Sequence, residues 1–346
     1  MNQTSTKQRV QNPCLILYAF QLRQSASQGN QEVMENASQL WEQCVTFGQQ
    51  RQIQLLQSLK QELRCYTYDR QESSYRYNPN NEEQEATAEE KLHLDDWLEL
   101  VRKDPQSHQA RQLNFDKESN NQGLRLLGEI YPLRLHDTYA LDLTLRYTET
   151  VDLIQLGQLN PTDYIQASLG QTLLLFTKPI NSNPVSPRDN KECSEYDPQQ
   201  LDFSSYPDLA NHCVANLFQD TVEHFPPATK GQLFGSPIFA YDNDKQQSRE
   251  RRHILIWFDS HPETISKIDQ AYDPLLNLLC CRSKIIYAYN KSRQCNEAAR
   301  EISSELEGKV NQLIQPPEET LEELEHWLRF IPQQAFQYAK YLRDME

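Results

Sequence analysis

The sequence predicts an α+β protein: a mixed β-sheet with flanking helices, followed by a long C-terminal helical hairpin. Three patterns carry that reading. Residues 139–147 alternate strictly, residues 15–20 and 254–258 form short apolar runs, and apolar side chains recur at seven-residue spacing from Cys281 onward.

The elements follow in chain order. Pro13 precedes Cys14-Leu15-Ile16-Leu17-Tyr18-Ala19-Phe20, a buried strand. Val33, Ala37, Leu40, Trp41, Cys44 and Phe47 fall at helical spacing, and Gly48 is expected to end that helix. Leu56, Leu59 and Leu63 mark a second helix. Residues 70–90, rich in Asn, Gln and Glu, read as a loop or disordered insert. Asp95, Asp96 and Trp97 read as a short helical stretch, and residues 103–122 as polar connection.

Leu124 to Leu135 is strand-like, with Gly128 and Pro132 suggesting a bulge or an edge position. His136-Asp137-Thr138 makes the turn into the alternating strand. There Tyr139, Leu141, Leu143, Leu145 and Tyr147 form the buried face, and Ala140, Asp142, Thr144 and Arg146 the polar one. Gly170 to Phe176 is another strand, residues 180–205 a long loop, and Tyr206 to Phe218 a helix. A hairpin follows, from Gln232–Tyr241 through a polar excursion to His253–Phe258, whose apolar run marks a central strand. Leu127-Gly128-Glu129 echoes Phe234-Gly235-Ser236, so a duplicated β-α-β-β unit around one sheet is one reading of this order. Trp41, Tyr139, Leu143 and Trp257 are expected to fill the sheet core.

Asp273-Pro274 has the form of a helix start, with Asp as N-cap and Pro at the first position. Cys281, Ile285, Ala288, Cys295, Ala299, Ile302, Leu306 and Leu313 keep the seven-residue rhythm, with Ser292 and Lys309 as polar exceptions. Pro316-Pro317 stops this helix, which would run roughly 60 Å to Ile314. Glu318 and Glu319 open the next, in keeping with the helix dipole. Leu321, Leu324, Leu328, Ile331, Ala335, Tyr338, Leu342 and Met345 continue at a/d spacing, and Pro332 must kink or restart the helix. The expected organisation is an α+β domain over 1–262, with polar inserts near 70–90 and 180–205. The helical hairpin over 272–346 is expected to close on itself or on another subunit and to continue past a fragment end at Glu346.

Bulk properties narrow the function. The chain has 346 residues, 38% of them hydrophobic, with 10% aromatics that argue against disorder. A net charge of −15 disfavours nucleic acid and anionic membrane surfaces as partners. There are eight cysteines, none in a CxxC pair, and the N-terminus lacks an apolar signal segment; both fit free thiols in a cytoplasmic setting. No apolar run approaches the ~18 residues that span a bilayer.

Candidate chemistry is thin. His136-Asp137 has the composition of an acid-base dyad, yet at a hairpin turn Asp is a turn former. Cys280-Cys281 sits in an apolar helix, where thiols stay protonated. His212-Cys213 with His224 lacks the second ligand pair that structural zinc needs. Arg249, Arg251 and Arg252 form a small basic cluster suited to an acidic partner or to solvent, beside Asp242, Asp244 and Glu250. No glycine-rich phosphate loop occurs, and no catalytic, cofactor or metal residues are assigned.

Several segments, taken in order, carry a family resemblance. They are Leu15-Ile16-Leu17-Tyr18-Ala19-Phe20; Leu40-Trp41, Cys44 and Gly48; Gly235-Ser236-Pro237-Ile238-Phe239-Ala240-Tyr241; His253-Ile254-Leu255-Ile256-Trp257; and Asp273-Pro274-Leu275-Leu276 with Lys284-Ile285-Ile286-Tyr287. Together they resemble the N-terminal region of caspase and TPR repeat-associated proteins, components of bacterial conflict systems. The resemblance covers residues 13–300 discontinuously. It implies a non-enzymatic, cytoplasmic antiphage sensor or regulator that works through protein-protein interaction, with a caspase-like or CHAT protease and a TPR protein as partners. Contacts would run through Leu321, Leu324, Leu328, Ile331 and Tyr338, which also suit a coiled-coil homo-oligomer, and through Arg249, Arg251 and Arg252.

Two other readings stay open. A sheet followed by long helices also looks like the cytosolic part of CorA-type transporters, a membrane-tethered assembly anchored by residues beyond 346; their Gly-Met-Asn signature is not in this chain. A hydrolase using the His/Asp pair or a Cys is the third.

Overall fold

The computed structural model describes residues 8–23, 36–63, 67–69, 74–76, 97–100, 113–118, 124–180, 206–219, 225–226, 229–314 and 329–340. Among the described residues there are twelve strands: β1 (Arg9–Leu22), β2 (Thr67–Asp69), β3 (Ser74–Arg76), β4 (Trp97–Glu99), β5 (Leu113–Glu118), β6 (Arg125–Leu135), β7 (Thr138–Tyr147), β8 (Thr150–Asp152), β9 (Gly170–Pro179), β10 (Thr229–Leu233), β11 (Ser236–Asp242) and β12 (Arg252–Phe258). The helices are α1 (Gln39–Arg51), the single turns α2 (Gln54–Gln57) and α3 (Leu59–Glu62), α4 (Tyr206–Leu217), α5 (Glu263–Ile314) and α6 (residues 329–340). The α+β class with a mixed sheet and a long C-terminal helix is as the sequence predicts. By contacts the chain divides into Met1–Ser283 and Lys284–Glu346, a boundary that falls inside α5.

Ten strands form one sheet in the order β10-β11-β12-β9-β1-β7-β6-β4; β5 extends the outer edge of β6, and β8 pairs with β1. Every pair is antiparallel except β9 with β12. β1 lies at the centre: Leu17 faces Leu143 on one side and Leu173 on the other. Its uninterrupted apolar run is what a strand buried on both faces needs.

One face carries the main core. Leu15, Leu17 and Ala19 of β1 join Leu141, Leu143 and Leu145 of β7, and Leu173 and Leu175 of β9. Leu40, Trp41, Cys44 and Phe47 of α1 close over part of it, and Ala210, Cys213 and Val214 of α4 over the rest. Burying each large apolar side chain contributes about 1.5–3 kcal/mol. Trp41, Tyr139, Leu143 and Trp257 are all buried, as expected. The first stretch of α5 covers the opposite face. It is tied there by Thr264 to Ser236, Tyr272 to Asp142 and Arg282 to Asp242.

Several sequence expectations are corrected. Gly48 lies within α1 rather than ending it; a Cβ there would sit 2.5 Å from Leu56 Cβ, so close approach explains the glycine. The helix ends instead at Gln52, left-handed at φ 55°, whose N–H reaches the Gln49 and Gly48 carbonyls. The single helix expected around Leu56–Leu63 is the two short turns α2 and α3. Trp97–Glu99 is a strand rather than a helix, because the open edge of β6 gives its backbone a partner. The polar stretch 103–122 contains β5, with Leu113 and Phe115 half-buried against the core. The 70–90 insert contributes β3, paired with β2. The rest of that insert, residues 181–205 and Leu321, Leu324 and Leu328 lie outside the described residues.

Gln232–Tyr241 is two strands joined by a tight turn, with Phe234 at φ 50° and Gly235 at φ 81°. Gly128, by contrast, lies mid-strand, so the Leu127-Gly128-Glu129 echo is not structural. The two halves of the sheet share an order, β1-β7-β6 and β9-β12-β11, but not a polarity. β1 meets β7 antiparallel while β9 meets β12 parallel, so they are not copies of one unit. Nor does α5 start at Asp273. It starts at Glu263, where the Ser236 hydroxyl accepts from the Ser260 and His261 amides, and Pro274 sits exposed within it. Of the expected seam, Cys281, Ile285 and Ala288 are exposed, whereas Cys295 and Ala299 are buried.

Gly128 on β6 faces Phe115 on β5, whose ring occupies the place of a side chain: an added Cβ would fall 2.0 Å from the ring's Cζ. Gly128→Ala should therefore cost about 1–3 kcal/mol in chemical denaturation. Adding Phe115→Ala should recover part of that loss, giving a double variant more stable than the sum of the single effects.

Candidate functional site

Strand register places one polar residue from each of six adjacent strands in a line across the α5-covered face. Tyr131 of β6 stands opposite Asp142 of β7, Asp142 opposite Tyr18 of β1, and Tyr18 opposite Thr172 of β9. Thr172 in turn stands opposite His253 of β12, and His253 opposite Asp242 of β11. From above, α5 adds Tyr272 near one end of this row and Arg282 near the other.

All of the row but its Asp242 end is buried. Asp142 is 6% exposed, Tyr18 2%, Thr172 0% and His253 9%. Buried polar groups need partners, and hydroxyls supply most of them. Tyr272 OH donates to Asp142 Oδ2 at 2.8 Å, and Thr144 Oγ1 donates to Oδ1 at 3.2 Å. Thr172 Oγ1 lies 3.0 Å from His253 Nδ1. Asp242 is held by charge: Arg251 Nε lies 2.9 Å away, and Arg282 bonds it from α5.

Burial sets the protonation chemistry. Desolvation pushes the Asp142 carboxyl up to about 6; the Tyr272 and Thr144 hydrogen bonds oppose that rise, and nearby Glu129 adds to it. Desolvation, with Arg282 second, pulls the His253 imidazole down to about 4. Tyr18 and Tyr272 are held well above the usual phenol range by desolvation, with Asp142 adding to the rise. The Cys14 thiol is pushed up to about 12, again by desolvation first. The Asp142 end of the row is thus a carboxyl ringed by three phenols, which suits holding a proton rather than an open reaction.

In the sequence, Asp142 and Thr144 fall on the polar face of β7, opposite its buried one. A signal for the burial of Asp142 was available in β1. Its apolar run implies cover on both faces, and a neighbouring strand in the same sheet shares that cover.

The residues singled out from the sequence do not converge. His136 and Asp137 form the two-residue turn between β6 and β7, with His136 exposed at φ 51° and the Asp137 carboxylate accepting from the Thr138 hydroxyl. Cys280 is buried and Cys281 exposed. His212 is exposed on α4, Cys213 is buried, and His224 lies outside the described residues. Among the described residues, no group of three His, Cys, Asp or Glu could hold a metal ion.

The arginine cluster is largely engaged within the fold. Arg251 pairs with Asp242 and Asp244. Arg252 donates to Thr162 Oγ1 at 3.0 Å and lies 5.1 Å from the Phe218 ring centre. Arg249 makes an exposed bond to Gln39. In the helical unit, Ile331 and Tyr338 are half-buried on α6.

No family model, curated protein or solved structure matches the chain.

Tyr272→Phe should destabilise the protein by about 1–3 kcal/mol above pH 6, where Asp142 is ionised and loses a donor. The cost should shrink at pH 5, where the carboxyl is protonated; denaturation at pH 7.5 and 5 compares the two. Under native conditions, iodoacetamide should modify Cys281 well before Cys44, Cys213, Cys280 or Cys295, as peptide mass spectrometry would show.

Proposed function

We propose that the protein is a non-catalytic sensor or regulator that works by presenting surfaces, in a bacterial conflict system where a caspase-like or CHAT protease and a TPR protein are its partners. The observation that carries this reading is the exposure of large apolar side chains in the helical unit. Ile285 is 69% exposed and Tyr289 62% on α5, and Phe336 is 74% exposed on α6. Such side chains, rimmed by charge, favour a protein partner over solvent. Asp142 and His253 of the other unit point the same way, since they lie buried under the first stretch of α5. The ordered segments resembling caspase and TPR repeat-associated proteins supply the biological setting. No helix among the described residues is long and apolar enough to cross a membrane.

The test is reconstitution with a caspase-like or CHAT protease and a TPR protein from the same genome, followed by sedimentation velocity. Ile285→Asp and Phe336→Asp should each weaken the complex at least about tenfold, since each removes a large apolar contact, with the circular dichroism spectrum unchanged. Absence of any complex, or binding indifferent to both variants, would overturn the reading.

A further inference from the structure

We propose that the first stretch of the long helix, Glu263–Ser283, is a strap that seats most firmly over the neutral forms of Asp142 and His253, so that near pH 5 seating removes two opposite charges from the row while the total of bound protons stays nearly the same.

The geometry carries this, because both groups are buried and the fixed charges nearest each, Glu129 at one and Arg251 and Arg282 at the other, oppose its charged form, offset in part by the Tyr272 and Thr144 hydroxyls and by Asp242. Around Asp142, β6 supplies Tyr131 opposite it and Glu129. β1 supplies Tyr18 and Cys14. Its own strand supplies Thr144 and also Arg146, which is bound to Glu129 at 2.8 Å. The strap supplies Tyr272. The carboxyl's hydrogen-bond donors are thus hydroxyls, and the charge felt there is acidic. Around His253, β9 supplies Thr172 and β11 supplies Asp242. The β11–β12 loop brings Arg251, and the strap brings Arg282; both arginines oppose an imidazolium. Asp242 favours the cation but is itself engaged by those two arginines. Seating the strap therefore dehydrates a carboxyl beside an acid and an imidazole beside two bases.

The proton balance follows. Asp142, at about 6 when covered against an ordinary 3.8, takes up a proton on seating between those pH values. Its term weakens the seat as pH rises through 6. His253, at about 4 when covered against an ordinary 6.5, gives one up over nearly the same range. Its term weakens the seat as pH falls through 6.5. The slopes oppose, so the intact protein seats its strap almost equally at pH 4.5 and 6.5. In effect the proton leaves the imidazole and appears on the carboxyl, with solvent as the carrier.

Hydrogen exchange tests this, read as protection of the amides of residues 263–283 against those of β1 and β9 in the full chain. The unaltered protein should hold strap protection constant within about threefold from pH 6.5 to 4.5. Asp142→Asn, left with the histidine alone, should lose roughly 30-fold over that interval, and His253→Gln should gain roughly 20-fold. Circular dichroism at pH 7 checks that each variant folds; His253→Gln decides alone if Asp142→Asn does not. Variant profiles as flat as the parent's would overturn the proposal. So would strap amides that exchange only together with β1 and β9, because the strap would then not lift by itself.

Discussion

The fold hangs on the double enclosure of β1. Hydrogen bonds to β7 and β9 fix it at the middle of the sheet, and both its faces carry apolar side chains. A strand in that position commits the molecule to a layer on each side. α1 and α4 supply one layer, and the first part of α5 supplies the other. The two layers differ in chemistry. Leucine and aromatic side chains dominate the α1 and α4 side, so its stability rests on apolar contact. On the α5 side, apolar contacts such as Leu276 and Leu279 are interrupted by the polar row. An interface of mixed polarity is held less firmly than a dry one, as interfaces between domains illustrate.

How far the sequence reveals this structure depends on which force sets each element. Period-two alternation identified β7, and apolar runs identified β1, β9 and β12, because packing requirements are written directly into residue type. Where an element is fixed by a distant partner, local pattern misleads. β4 takes its form from the open edge of β6, and β5 from the chance for Phe115 to cover Gly128. The start of α5 is set the same way: a hydroxyl on β11 holds the Ser260 and His261 amides just ahead of it, His261 Nδ1 accepts from the Glu263 amide, and Asp273-Pro274, a strong local signal, lies in mid-helix.

The candidate site was illegible for a different reason. Tyr131, Asp142, Tyr18, Thr172 and His253 are scattered between residues 18 and 253 and meet only through register, which no local spacing encodes. The motif-like pairs that attracted notice, His136-Asp137 and Cys280-Cys281, are adjacent in sequence and serve a turn and a helix. Residue neighbourhood in the chain was thus a poor guide to chemical neighbourhood. The continuous apolar character of β1 was the better clue, since it marks which polar neighbours end up covered.

The pairing of β1 with β9 also bears on how the chain reaches its fold. Leu17 must find Leu143 on one side and Leu173 on the other, so the sheet's innermost strand is made before both its partners and completed late. The parallel contact of β9 with β12 comes later still. Topologies dominated by such remote pairings assemble slowly. A nascent chain emerging from the ribosome would carry the sticky segment Leu15–Phe20 uncovered through much of its synthesis, a natural client for a chaperone.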